Sequence, residues 1–235
     1  MGALQGTYCG PAPEPGELWL TWNLDPVLLL LLGLFALRIG RTRLGAWAVA
    51  VLAIVFVSPL CPLSAALFSA RVVHHVLLVA VAAPLIALAW PAREVRSIAV
   101  PFLVSTGILW AWHLPRAYDL ALGNMAVYWV MQATLLGTAV AFWRAVFDPR
   151  PGSARALLFI LAGFMQMALL GALLTFAPEP LYAIHAVAPL AWGFTPLGDQ
   201  QLGGLIMWVP AGLPFAVWGA FLARRGWRTM VQGAS

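Results

Sequence analysis

The chain has 235 residues, 63% of them hydrophobic and 9% charged, with a mean hydropathy of +0.90. A soluble domain carries about 25% charged residues and avoids large exposed apolar patches, so this composition excludes a soluble enzyme and a disordered regulator and indicates an integral membrane protein. The net charge of +5 comes from thirteen arginines, no lysine and eight acids; the arginine placement assigns it to membrane topology and not to nucleic-acid binding.

In chain order, residues 1–23 are rich in Gly, Pro and Glu and read as a tail outside the membrane. They lack the basic n-region and cleavage pattern of a signal peptide, so the first apolar stretch is expected to stay as a helix. Seven apolar stretches follow at about 24–40, 44–62, 70–90, 97–114, 124–146, 154–177 and 200–223, bounded by Pro, Gly or charge. Each approaches the roughly 20 residues that a spanning helix needs. The predicted fold is an all-α integral membrane protein, a seven-transmembrane-helix bundle occupying 24–223, with a short tail at 224–235.

The charges predict the orientation. Arg38, Arg41 and Arg43 separate the first two stretches; Arg93 and Arg96 follow the third; Arg144, Arg150 and Arg155 follow the fifth; Arg224, Arg225 and Arg228 follow the seventh. Only Arg71 and Arg116 fall on the other side. The positive-inside rule therefore makes the C-terminus cytoplasmic and the N-terminus external.

With that orientation all four histidines lie toward the outer face. His74 and His75 open the third stretch, His113 closes the fourth, and His185 sits in the loop before the seventh. Six acids, including Asp25, Asp119 and Asp199, are outside as well. An interfacial histidine can simply bond water, headgroups or a loop carbonyl. Neutral imidazole is also the commonest metal ligand and suits copper. Adjacent residues on a helix point about 100° apart, so His74 and His75 are not expected to face one site equally. Arg71 lies one turn before His75 and would repel a cation unless an outer carboxylate pairs with it.

Soft donors accompany them. Cys61, Cys9, Met125 and Met131 fall in the outer half and Met207 inside the seventh stretch; thiol and thioether sulfur favour Cu(I), although each methionine also serves as packing in a helix interface. Two cysteines do not make a disulfide scaffold, and no C-x-x-C, H-E-x-x-H or EF-hand spacing is present.

The seventh stretch opens with Asp199-Gln200-Gln201 and continues through Gly203-Gly204 to Met207-Trp208. Asp199 reads as the N-cap of this helix. Residues 199, 203 and 207 share a face that either carries a path from carboxylate to sulfur or packs closely through its glycines. Pro210 and Pro214 are expected to bend the helix beyond Trp208. Gln132 and Gln166 are expected to bond each other across helices. No Lys, Arg, Asp or Glu is expected at the midplane, which argues against an ion-driven carrier, as does the lack of an obvious internal repeat.

Several motifs, in order, resemble the multi-span CtaG-like cytochrome c oxidase assembly factors of bacteria, a family distinct from the single-span copper chaperone of that name. They are Trp22-Asn23-Leu24-Asp25-Pro26, His75-Val76-Leu77-Leu78 with Ala82-Ala83-Pro84-Leu85, and Trp112-His113-Leu114-Pro115 with Tyr118. Pro180-Leu181-Tyr182 with His185, Trp192-Gly193, and Asp199-Gln200-Gln201 through Trp208-Val209-Pro210 complete the set. The resemblance implies a non-enzymatic, multi-pass protein of the bacterial cytoplasmic membrane that helps to mature haem–copper oxidases, with oxidase subunits as partners and no small-molecule substrate. It implies functional outer-face roles for His75, His113, His185 and Asp199. The chain departs from the family where Arg71 replaces a histidine one turn before His75, and where Tyr128 and Gln132 occupy a region that often holds histidines. The expected cargo is Cu(I) near His75 and His113, with His74, His185, Asp199, Met207 and Cys61 as further candidate ligands. The alternatives are a haem-carrying electron-transfer protein with His75 and His113 as axial ligands, and a metal-free accessory subunit.

Overall fold

The computed structural model describes residues 8–91, 97–150 and 152–232. Arg93 and Arg96, used above for orientation, lie outside the described residues. Every long element is helical: α1 Pro26–Ile39, α2 Arg43–Phe56, α3 Leu60–Ala66, α4 Phe68–Ala89, α5 Ala99–Trp112, α6 Pro115–Gly123, α7 Met125–Phe147, α8 Ser153–Thr175, α9 Pro196–Trp208 and α10 Gly212–Gln232.

Helix starts follow local sequence where a small polar residue precedes the apolar run. Asp25 accepts from the amides of Val27 and Leu28, with Pro26 in the first turn. Thr42 accepts from Gly45, Asn124 from Ala126 and Val127, and Thr195 from Gly198. Each side chain satisfies amides that the helix itself leaves free.

Among the described residues, four helices are long and apolar enough to cross a bilayer, and the pair α2–α3, bent by 42°, makes a fifth if taken as one span. Here α9 and α10 count together as Pro196–Gln232. All seven apolar stretches are helical, but α1 and α5 have 14 residues each. At about 1.5 Å per residue each rises about 21 Å, short of the roughly 30 Å hydrocarbon core.

Helix α4 contains a π-helical segment at Leu77–Ala82, immediately before Pro84. Proline has no amide proton to give the carbonyl four residues back, and its ring crowds that carbonyl. The wider turn accommodates the ring. The Ala80 carbonyl accepts instead from the Trp218 indole at 3.0 Å, and the Val79 carbonyl from the Trp143 indole at 2.8 Å. Two large aromatic residues thereby satisfy backbone acceptors that lipid could not.

Glycines set how close α9 lies to its neighbours. A Cβ on Gly203 would come within 2.5 Å of the Phe68 ring in α4, and one on Gly204 within 2.5 Å of Thr175 Oγ1 in α8. The Asp199–Gly203–Met207 stripe is therefore a packing surface, with Met207 buried against Gly171. As the prolines suggested, the helix breaks between Trp208 and Gly212.

The bundle has two dissimilar ends. At one, Arg38 and Arg144 lie over the Trp90 ring at 5.0 and 5.1 Å, and Arg225 donates to the Phe147 carbonyl. At the other, the starts of α4 and α7 gather beneath residues 8–25. Tyr8 donates to Asp25 at 2.8 Å, and Cys9 is joined to Cys61 by a disulfide spanning 52 residues of chain.

Candidate functional site

Helix α4 starts after Leu67, whose side chain cannot cap. The cap comes from α9: the Asp199 carboxylate accepts from the Phe68 amide at 2.6 Å, the Ser69 amide at 3.2 Å and the Ser69 hydroxyl. Thr195, not Asp199, caps α9. The expected position of Asp199 is thus corrected: it is buried and locks two distant helices together. Its neighbour Gln200 accepts from the Leu181 amide and so ties down the loop before α9.

His185 is fixed in the same region. Its Nε2 lies 2.8 Å from the Tyr118 hydroxyl and its Nδ1 3.4 Å from the Ala66 carbonyl. These partners fit a neutral ring whose Nδ1–H donates to the carbonyl while Nε2 accepts from tyrosine. Burial, aided by the positive charge of Arg71, pushes its pKa down to about 3. Phe68 stacks on Tyr182 at 4.6 Å, and Tyr182 donates to the His113 carbonyl at 3.0 Å. Asp119 receives the Ala183 and Ile184 amides.

One to two turns deeper lies a different kind of cluster. Arg71, His74 and His75 occupy positions i, i+3 and i+4 of α4 and are all buried, so they share one broad face. The two imidazoles diverge, as their adjacency predicts. His74 packs edge-on against Phe56 of α2 at 5.3 Å, while His75 turns toward His113 at 6.2 Å; the His74 and His75 rings are 5.6 Å apart. His113 closes α5, and its Nδ1 meets the Leu109 carbonyl at 2.7 Å. If Nδ1 carries the proton, Nε2 presents the lone pair.

Tyr128 and Gln132 complete the cluster from adjacent turns of α7. The Arg71 guanidinium lies 5.4 Å from the Tyr128 ring. The Tyr128 hydroxyl is 3.4 Å from Cys9 Sγ, and Tyr8 stacks on the same ring at 5.3 Å. Both nitrogens of His74, Nε2 of His75, both amide atoms of Gln132 and all three guanidinium nitrogens of Arg71 have no hydrogen-bond partner among the described residues. The expected Gln132–Gln166 bond is absent: Gln166 accepts from Trp110 at 2.8 Å and donates to the Gly163 carbonyl at 3.1 Å.

The candidate ligands are thereby sorted. His74, His75 and His113 are contiguous, while His185 and Asp199 are committed to loop and cap bonds. Met207 lies in the apolar core, and Cys61 is half of a disulfide, so the thiolate expected from the sequence is not present in this state. Among the described residues, no group of three His, Cys, Asp or Glu side chains is placed to hold a metal ion. Sequence reasoning missed the cross-helix cap and the disulfide. A helix start without a polar N-cap pointed to the first, and two cysteines assigned to the same outer face pointed to the second.

Fold and site together define a class: a multi-helix membrane protein with its buried polar groups gathered inside one end of the bundle. The chain belongs to the cytochrome c oxidase caa3 assembly factor family (Caa3_CtaG), whose sequence model matches residues 29–229. Comparison with curated proteins gives no significant match, and neither does comparison with solved structures. The match runs from within α1 almost to the end of α10 and includes every histidine, so the apolar helices and the polar cluster belong to an oxidase assembly factor.

Proposed function

We propose that this assembly factor presents Cu(I) to a haem–copper oxidase subunit docked against the histidine-bearing end of the bundle. The observation that supports it is the contiguous run His74–His75–His113, in which His75 Nε2 has no partner among the described residues and the Nδ1 of His113 is held by the Leu109 carbonyl. Imidazole suits copper. Copper is cargo in this reading, so a closed cage is not required. A site of few ligands beside the Arg71 guanidinium holds a cation weakly enough to release it.

The reading also takes the bundle to cross a bacterial cytoplasmic membrane seven times, α1 and α5 being short crossings; the placement of the arginines supports the arginine end inside and the histidine end outside. The role is non-catalytic.

The deciding experiment combines deletion with metal analysis of the purified terminal oxidase. The expected result is an oxidase depleted of copper and activity, restored by the wild-type protein but not by His75→Ala or His113→Ala variants present at equal abundance. Full copper occupancy in the deletion strain would overturn the copper reading. Cu(I) competition against a chromophoric chelator, performed anaerobically, should show binding that both variants lose. A Soret band in the purified protein would replace copper by haem.

A further inference from the structure

Arg71 poses a problem that the copper reading does not resolve. Its side chain is fully buried, and a guanidinium stays protonated at any physiological pH. Among the described residues none of its nitrogens has a hydrogen-bond partner and no carboxylate pairs with it. The nearby outer acids are otherwise engaged. Asp199 caps α4, Asp25 caps α1 and receives Tyr8, and Asp119 holds the loop at Ala183 and Ile184. An isolated charge in a low-dielectric interior is strongly disfavoured. Water can satisfy its hydrogen bonds but brings no opposite charge.

The surroundings are specific. Tyr128 of α7 faces the guanidinium; Gln132 lies one turn further along α7, its amide atoms without a hydrogen-bond partner among the described residues, and His74 and His75 lie one turn along α4. Tyr128 presents its electron-rich ring face to the guanidinium, and none of these flanking groups is an acid. The guanidinium offers a rigid planar fork of N–H donors that matches a carboxylate with two parallel bonds. The Gln132 carboxamide, one helical turn from Tyr128, adds a neutral donor.

We propose that Arg71, Gln132 and Tyr128 form a buried binding site for a small carboxylate, placed beside the histidine pair and beneath the lid made by Tyr8 and the Cys9–Cys61 disulfide. The carboxylate is either a free ion such as formate or acetate, or the acid end of a larger molecule. Its charge neutralises Arg71 and leaves the neighbouring imidazoles in a neutral setting. The site stands independently of the copper reading, because nothing in it requires a metal.

The test uses metal-free full-length protein in an uncharged detergent and a bulky sulfonate buffer, with sodium formate as the probe. Thermal unfolding is followed alongside the line width of 13C-formate. The expected result is a saturable rise in unfolding temperature and saturable broadening that equal ionic strengths of sodium chloride do not reproduce. Arg71→Gln should abolish both. Gln132→Leu should weaken the apparent affinity at least fivefold, and decides the matter if Arg71→Gln does not fold. Native mass spectrometry separates the sources: an organic acid that co-purifies with the wild type, is displaced by formate and is missing from the Gln132→Leu protein identifies a larger molecule, whereas its absence together with the formate response identifies a free ion. The proposal is overturned if formate acts no differently from chloride and no acid co-purifies, or if the formate response persists unchanged in both variants.

Discussion

The two ends of the bundle treat polar groups in opposite ways. At the arginine end, Arg38 is exposed and lies over Trp90, and Arg150 pairs with Asp148 at 2.6 Å on the surface. These side chains reach water, cost little and mainly report topology. At the histidine end, Arg71, His74, His75, Asp199 and Gln132 are sealed among apolar residues. There, each polar atom must find a partner or destabilise the fold. Asp199 and His185 have theirs; among the described residues, Arg71 and Gln132 have none. A sealed group with partners holds the architecture, and a sealed group without them marks where something else binds.

The sharpest break in this contrast comes from removing a satisfied buried group. Asp199→Ala leaves the Phe68 and Ser69 amides and the Ser69 hydroxyl unsatisfied at the start of α4. Each buried unsatisfied group costs about 1–3 kcal/mol, so the variant should lose about 4 kcal/mol and unfold at a markedly lower temperature in detergent. Asp199→Asn retains acceptor capacity and should lose less than half as much. Equal losses in the two variants would show that the charge, and not the acceptor geometry, secures the cap.

The disulfide gives the next largest effect. Closing a 52-residue separation constrains the unfolded chain, so Cys9→Ser or Cys61→Ser should cost about 2–4 kcal/mol. Reductant should lower the wild-type unfolding temperature toward that of the variants and leave the variants unchanged. The arginine end, which carries no disulfide, should keep its hydrogen-exchange protection, while Tyr128 and its neighbours lose theirs.

His185 links the histidine end to pH. Its folded pKa of about 3 lies below the roughly 6.5 of an unfolded histidine. The unfolded chain therefore binds a proton first as pH falls. The stability contributed is fully present above about 6.5 and declines as pH drops toward about 3, by about 1.4 kcal/mol per unit once the unfolded histidine is largely protonated. Unfolding temperature measured between pH 7 and 5 should fall in the wild type, and the slope should flatten in His185→Gln. An identical slope in both proteins would assign the acid sensitivity elsewhere.

How much of this was legible in sequence differs between the two ends. Apolar run length located the helical stretches; the caps Asp25, Thr42 and Asn124, although local, were not picked out because run length alone set the starts. The clustering of His75 with His113 followed from placing both on one side. The role of Asp199 was not readable from its own helix, because its partners are 130 and 131 positions away in the chain. Gln132 and Gln166 were wrongly paired, since hydropathy gives depth but not the rotation of a helix. The short lengths of α1 and α5 were hidden because an apolar run continues past the point where the backbone leaves the helix.

The smallest effect probes the middle of the bundle, where neither end's chemistry reaches. Trp218→Phe preserves an aromatic ring but removes the indole N–H that serves the Ala80 carbonyl. A single unmet acceptor should cost about 1 kcal/mol, visible as a drop of a few degrees in unfolding temperature. Trp143→Phe does the same to Val79. The two donors serve adjacent carbonyls in one turn of the π-helical segment, so the double variant should lose more than the sum of the singles. Replacing Pro84 by Ala restores the amide proton and lets α4 close its own hydrogen bond to Ala80. In that background Trp218→Phe should cost almost nothing. If it costs the same as in the wild type, the indole acts through packing alone, and the proline-driven account of this turn is wrong.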